Sequence, residues 1–569
     1  MDILFLHVPK FGAYSKPTNW FSFVNYPPVG LLGLADYLRK NGFQSRIIHL
    51  GVERYKYGKI DLAGMIAEAQ PAMVGLNLHW HFQSFDVIET ARSIKRSYPS
   101  LPVVVGGFTA SLFAEEILRD FPCVDFVIRG EAEIPLRELI SIYRSSREYS
   151  RVSNLAYREN GAVKMNPLTY VADQEMLSSL CYTDFTLLKD APAFVNFSRY
   201  VRIYGLSDDT HAFLGRNRKM YPVVAGRGCA NHCLFCGGSS KAQKTISRRT
   251  EVTCRSEESI LSSLQDLERF GFNHALLSHD PFGDAAVAEE FYRTLFAGVR
   301  RRGIALSCEL ERWRFLPTRQ FVRDFLAAFG QDSVLALSLW NSDENVRRKN
   351  GVYWYSNEQL ENCLDMMNEE GVGCCLYFAC GLPFEGGKRE LSAMARYQRQ
   401  LKRRYKRVEC RTFIIELEPG SRLSENHRAL AVVPHRSSFA DYYAHHQPSL
   451  QNHCLQLGYT RCHDLNEKEL GSFYCRNFCD RFKARRLAPL FCAAMAAMWK
   501  LGAMRGFDRL CRALGALGIG KEITGREPEV PYGGRSAHRP VWTTHEQGEC
   551  SVAKGESDEF LPCDHRPPM

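Results

Sequence analysis

Gly226-Arg227-Gly228-Cys229-Ala230-Asn231-His232-Cys233-Leu234-Phe235-Cys236-Gly237-Gly238 sets three thiols at C-x3-C-x2-C behind the apolar run Tyr221-Pro-Val-Val-Ala225. Cytosolic thiols stay reduced and thiolate sulfur favours iron or zinc, so cysteines this close together read as cluster or metal ligands rather than as disulfide halves. Three of them leave one iron of a four-iron cluster open. Zinc is the alternative, but it takes four protein ligands, usually in two pairs, and His232 would have to be the fourth.

Working outward, Tyr221–Ala225 is the first of six apolar strand candidates. The others are His274–Ser278, Ile304–Cys308, Val334–Leu339, Val372–Phe378 and Cys410–Ile415. Helical sequence separates them, which fits parallel βα units closing into an incomplete barrel with its chemistry at the carboxyl ends of the strands. Upstream, Ile3–Val8, Ser45–Leu50, Met73–Leu78, Pro102–Val105 and Val124–Ile128 alternate with helical periodicity and predict a doubly wound parallel sheet. Ligands sit beyond the carboxyl ends of such strands. This sequence has Asn77-Leu-His79-Trp-His81, Gly106-Gly107-Phe-Thr109-Ala-Ser111 and Arg129-Gly130-Glu131-Ala-Glu133 there. The glycine pair lets backbone approach a ligand closely, and His79 and His81 fall on one face if their strand continues.

The cysteine spacing, Phe235 before the third cysteine and the glycines after it resemble the cluster loop of the radical S-adenosylmethionine (SAM) enzymes. Three later motifs agree in order. Ser278-His279-Asp280-Pro-Phe282 resembles a D-D-x-F loop, Gly381-Leu-Pro383-Phe-Glu385 a G-L-P-x-E turn, and Glu418-Pro419-Gly420-Ser421 a P-G-T loop. The amino-terminal turns, with Pro27-Pro28-x-Gly30-Leu31-Leu32, resemble the cobalamin-binding domain that precedes the barrel in many of these enzymes.

The resemblance implies that Cys229, Cys233 and Cys236 hold a 4Fe-4S cluster whose fourth iron is chelated by SAM, and that an external one-electron donor such as flavodoxin or ferredoxin drives its cleavage. Gly237 and Gly238 would border the methionine moiety, and Glu309 or Glu311 would bind the ribose. Ser338, Asn341 or Ser342 would replace the glutamate missing from Leu337-Ser-Leu-Trp-Asn-Ser342. Asn77, His79, Gly106, Gly107, Thr109, Gly130 and Glu131 would line the corrin. Pro9 to Gly30 contains no histidine, so cobalt would lack a histidine from that loop. The implied activity is methylation of an unactivated carbon of a biosynthetic intermediate, small molecule or peptide, through methylcobalamin and a 5′-deoxyadenosyl radical. Cyclisation, ring contraction or another carbon-skeleton change with the same cofactors is the alternative. A non-catalytic corrinoid- or metal-binding protein is the reading from another class.

The 569 residues divide into a cobalamin-binding domain (1–150), a linker (151–215), the partial barrel (216–425), a mainly helical region (426–522) and a disordered tail (523–569). In the linker, Asn154–Met165 reads as a hairpin about Glu159-Asn160-Gly161, while Tyr182–Phe185 and Tyr200–Tyr204 would border the active site by position. A net charge of +10 is modest and mostly dispersed, apart from Leu401–Arg407 and Arg481–Arg486, so no nucleic-acid partner is expected. Met1-Asp-Ile-Leu-Phe-Leu-His-Val has no basic start or cleavage site, so twenty cysteines point to the cytoplasm. No apolar run reaches the roughly 18 to 20 residues of a membrane span. Cys454, Cys462, Cys475 and Cys479, with His445, His446, His453 and His463, are candidates for a second metal. Leu487–Trp499, flanked by basic residues, suits peripheral membrane contact or, as we expect, burial against the barrel.

Overall fold

The computed structural model describes residues 1–11, 23–24, 28–57, 59–198, 218–430, 432–447, 459–461, 469–470, 472–473, 497 and 501. The sheet nearer the amino end consists of β1 (Ile3–His7), β2 (Ser45–His49), β3 (Val74–Asn77), β4 (Val103–Gly106), β5 (Phe126–Ile128), β6 (Leu155–Glu159) and β7 (Ala162–Met165). Their order is β2-β1-β3-β4-β5-β6-β7. The first five pair in parallel, and their side chains are apolar because helices such as Val29–Lys40 and Ser84–Ser97 cover the sheet. Strand order reverses between β1 and β3, which opens a crevice beyond their carboxyl ends. Asn77 stands at that crevice.

The hairpin assigned to the linker belongs to this sheet. β6 pairs antiparallel with β5 through Phe126 and Tyr157, and β7 follows it across the Asn160-Gly161 turn. Leu155 and Ala156, which strand alternation sends to opposite faces, are both fully buried, so burial on both sides fixes the strand where turn chemistry alone gave only the hairpin. Tyr182–Phe185 lies in a strap between helices, and the Tyr182 hydroxyl accepts from Arg227 at 3.4 Å. The Cys181 N–H donates to Asp36 at 2.8 Å and the Thr183 hydroxyl to Asp266 at 2.9 Å, tying the Val29–Lys40 helix to the Glu257–Arg269 helix.

The second sheet consists of β8 (Met220–Pro222), β9 (His274–Leu277), β10 (Ser307–Arg312), β11 (Val334–Trp340), β12 (Gly373–Cys380) and β13 (Val408–Ile414). All neighbours are parallel, in chain order, with β8 and β13 at the edges of an open barrel. The third barrel strand lies later than Ile304–Cys308. Its Glu309 and Glu311 point into the barrel, so its inner face breaks the apolar pattern that marks its neighbours.

Beyond the barrel, Val432–Pro434 pairs antiparallel with Tyr459–Arg461, and the helix Phe439–His445 returns to the first domain. The Phe439 ring lies 5.3 Å from that of Phe121, its N–H donates to Glu116 at 2.6 Å, and the Tyr443 hydroxyl donates to Glu89 at 2.8 Å. Tyr200–Tyr204, Cys454, Cys462, Cys475, Cys479, His453, His463, nearly all of Leu487–Trp499 and the tail 523–569 lie outside the described residues. Among the described residues no helix is long and apolar enough to cross a membrane.

Candidate active site between the sheet and the barrel

The cysteine loop leaves the barrel after β8 and is held from four sides. The Ala230 N–H donates to the Pro281 carbonyl at 3.1 Å, the Leu234 N–H to Asn350 at 3.0 Å, the Leu423 N–H to the Leu234 carbonyl at 2.9 Å, and His279 Nε2 to the Gly228 carbonyl at 2.9 Å. Within it, the Asn231 N–H points at Cys229 Sγ (3.4 Å) and the Gly238 N–H at Cys236 Sγ (3.3 Å). Such N–H groups stabilise thiolates. Burial acts the other way, pushing Cys236 up to about 12 and raising Cys229 and Cys233, so these thiols ionise only against a cation.

The arrangement fits a cluster better than zinc. His232 Nδ1 is engaged with the Ser240 hydroxyl at 2.6 Å. Among the described residues no three His, Cys, Asp or Glu side chains converge on a point that suits one metal ion, whereas a cluster takes each thiolate on a different iron.

Gly237 abuts the loop after β13. A Cβ there would lie 3.0 Å from the Pro419 carbonyl and 3.1 Å from Glu418 Cβ. Beside it, Phe235 meets the Trp340 ring edge-on at 5.2 Å. Trp340 follows a register shift in β11, has φ +68 and keeps its buried Nε1 without a hydrogen bond. A bulky residue in the left-handed region is strained. No local sequence pattern marks this strain in advance. Nearby, Asn341 is taken up by Glu385 (2.9 Å) and the Asp343 N–H (2.9 Å), which leaves Ser338, buried on β11, facing the lumen.

Strand alternation sends Ser307, Glu309 and Glu311 inward and Cys308, Leu310 and Arg312 outward, where Arg312 sits between the rings of Tyr292 (5.0 Å) and Phe321 (4.6 Å). Glu309 accepts from the Tyr377 hydroxyl at 2.8 Å. Glu311 accepts from Trp313 Nε1 at 2.8 Å. Burial, helped by the charges of Glu309 and Asp280 and opposed by Trp313 and Arg411, pushes the Glu311 carboxyl up to about 8. It is therefore protonated at neutral pH. Asp280 is structural: it accepts from the Trp313 N–H (2.7 Å) and the Tyr292 hydroxyl (3.1 Å).

On the sheet side, Asn77 ends β3 with a buried Oδ1 that has no hydrogen bond, as a ligand-facing amide would. His79 stacks on Phe108 at 4.8 Å, and burial lowers it to about 4, keeping the ring neutral. Thr109 binds the His79 carbonyl through its hydroxyl (3.0 Å) and N–H (3.2 Å). Gly107 is required by its own chain: φ is +115, and a Cβ would lie 2.7 Å from the Leu78 carbonyl. Gly106 meets only the Ile128 carbonyl, at 3.6 Å from such a Cβ.

His79 and His81 do not share a strand face, because β3 stops at Asn77 and His81 opens the 3-10 turn His81–Gln83. His81 Nδ1 lies 3.2 Å from His446 Nε2, and its Nε2 faces Glu416 at 3.7 Å and Glu418 at 3.8 Å. Buried Lys10 binds Asp86 (2.8 Å) and the His446 carbonyl (2.8 Å) in the same corner. Lys10 and His446, 436 positions apart, meet here, which no local pattern announces.

Arg129-Gly130-Glu131-Ala-Glu133 joins the two halves. Both Glu131 oxygens are spent: Arg249 binds them through Nε (2.7 Å) and Nη2 (2.9 Å), and Arg227 and the Ala172 N–H each donate to Oε2 at 2.9 Å. Arg227 also binds Glu133 at 2.6 Å. A Cβ on Gly130 would come within 3.0 Å of Ser247 Cα, on the helix that follows the cysteines.

Residues 23–140 match the B12 binding domain family. An uncharacterized methyltransferase of Pyrococcus horikoshii is 31% identical over 141 residues, 25% of this chain and 30% of that protein. The anaerobic magnesium-protoporphyrin IX monomethyl ester cyclase of Rubrivivax gelatinosus is 20% identical over 243 residues, 42% of this chain and 38% of that one. The chain thus spans about a third of the length of these relatives. The structure of TsrM from Kitasatospora setae, a radical SAM methyltransferase with cobalamin and a 4Fe-4S cluster bound, superposes with a TM-score of 0.58 at 14% identity, covering 90% of this chain and all of that one. The chain therefore carries a match to the B12 binding domain family in its amino-terminal part and shares the two-part fold of that solved structure, a parallel sheet followed by an open barrel.

Proposed function

We propose that the protein is a cobalamin-dependent radical SAM enzyme that methylates an unactivated carbon of a biosynthetic intermediate. The observation that carries this reading is the corner where Gly237 of the cysteine loop abuts Glu418, which in turn faces His81 of the B12-binding domain. When bound, a 4Fe-4S cluster, SAM and cobalamin supply radical initiation and methyl carriage. The chain's own part is positioning. Cys229, Cys233 and Cys236 would hold the cluster, Gly237 and Gly238 leave backbone free beside it, and Trp340 and Phe235 wall the loop from water. Glu309, Glu311 and Ser338 present polar groups to a bound cofactor or substrate, with Glu311 able to give a proton at neutral pH. Asn77, His79 and Thr109 support the corrin side. An external flavodoxin- or ferredoxin-like donor supplies electrons.

Anaerobically reconstituted protein with cobalamin and SAM should form 5′-deoxyadenosine and a product one methyl group heavier than its substrate. Likeness to the cyclase of Rubrivivax gelatinosus favours a second reading, radical cyclisation. A product without an added methyl would select it. Absence of SAM cleavage in cluster-loaded protein would refute both.

A further inference from the structure

Arg436 lies in the turn between Val432–Pro434 and the helix Phe439–His445, and only 5% of it is exposed. Its Nε, Nη1 and Nη2 are all shut off from water, and none makes a hydrogen bond. The other buried arginines have polar partners. Arg249 meets Glu131, Arg347 binds the Tyr355 carbonyl and Asn357, and Arg255 binds the Val224 and Ser259 carbonyls. Among the described residues Arg436 meets the Tyr442 ring, 5.5 Å from its guanidinium carbon, and no hydrogen-bond acceptor. A guanidinium stays ionised and carries five donors, so leaving it alone in the interior is strongly destabilising unless something else completes it.

Its place says what that something touches. The Tyr442 hydroxyl donates to the Leu417 carbonyl at 3.3 Å, between Glu416 and Glu418, and the Tyr442 ring lies 5.2 Å from that of His81. Arg436 therefore stands behind the corner where sheet and barrel meet. Glu416 and Glu418 face His81, and neither hydrogen-bonds the guanidinium. We propose that Arg436 anchors an oxyanion of the substrate, a carboxylate or a phosphate, through a bidentate pair at Nη1 and Nη2. Planar two-point recognition of such groups is what arginine does and lysine does not. The word substrate rests on the proposed function; the anion site itself does not.

The test needs no turnover. Thermal unfolding of the full chain is followed with inorganic phosphate or acetate, against sodium chloride at equal ionic strength. At least one of the two should raise the wild-type midpoint saturably, and the responsive one names the class. Arg436→Met should lose the response and, freed of a lone buried cation, should melt higher than wild type without added anion. Arg436→Lys, which keeps the charge if the methionine variant does not fold, should weaken the apparent affinity at least tenfold. An anion response unchanged in these variants, or none in wild type, overturns the site. A response that persists after cobalamin loading supports the substrate assignment, and one abolished by loading gives the site to the corrinoid and overturns it. Failure of SAM cleavage would leave this readout intact.

Discussion

Glu131→Gln removes the charge from the junction between the B12-binding domain and the cysteine loop. Glu131 is 8% exposed and Arg249, its bidentate partner, 3%, so this pair is shielded from water. Arg227 is about a quarter exposed, and its share is screened. Stripping one member from a buried pair costs about 3–5 kcal/mol; the screened arm adds about 0–1 kcal/mol. Glutamine keeps an acceptor for the Ala172 N–H, so the expected loss is near the lower end, about 3 kcal/mol.

Burial opposes ionisation of Glu131, but Arg227 and Arg249 outweigh it and hold the carboxyl below its ordinary value of 4.5. The unfolded chain therefore takes up the proton first as pH falls. The stabilisation is complete above pH 4.5 and is lost as pH drops through the lower folded value. Urea unfolding of the full chain, read by tryptophan fluorescence at several pH values, should show the variant less stable at pH 7 and the gap closing on acidification. Because Arg227 precedes Cys229 by two residues, the variant should also retain less reconstituted iron. A gap under about 1 kcal/mol at pH 7, or one that stays constant into acid, would refute the reasoning.

Glu311→Gln carries the opposite sign. Its folded value of about 8 lies above the unfolded 4.5, so wild type should lose stability as pH rises between these values, by on the order of 5 kcal/mol at the limit, while the variant stays flat; parallel pH profiles of the melting temperature would contradict the buried carboxyl. Cys233→Ala should drop reconstituted iron well below about four per chain and abolish 5′-deoxyadenosine formation, and full activity in this variant would rule out the cluster. Gly107→Ala must place a Cβ 2.7 Å from the Leu78 carbonyl at φ +115. It should lower the melting temperature, by roughly 1–3 kcal/mol of strain, and release cobalamin, as read from its visible spectrum; an unaltered melting temperature would show that the turn is not strained. Cobalamin bound to wild type should show a base-off spectrum, since no histidine occupies the loop after β1, and a histidine-ligated spectrum would contradict this.

Elements that repeat a local rule were legible in one dimension. The cysteine spacing, the apolar runs of β1–β5 and of most barrel strands, and the Asn160-Gly161 turn are each written in consecutive residues, because thiol spacing, burial on both faces and turn geometry act over a few positions. β10 escaped at its far end because lumen-facing Glu309 and Glu311 look like surface residues in one dimension. The roles of single residues needed the tertiary structure. Glu131 sits in a loop where a ligand contact was expected, yet Arg227 and Arg249, about a hundred positions later, take both of its oxygens. His81 shares no face with His79 and instead meets His446, and no local pattern singles out Arg436 until the fold has buried it. Pairing of a buried charge depends on which distant groups the packing delivers. No spacing rule encodes that, so only the assembled sheet and barrel decide it.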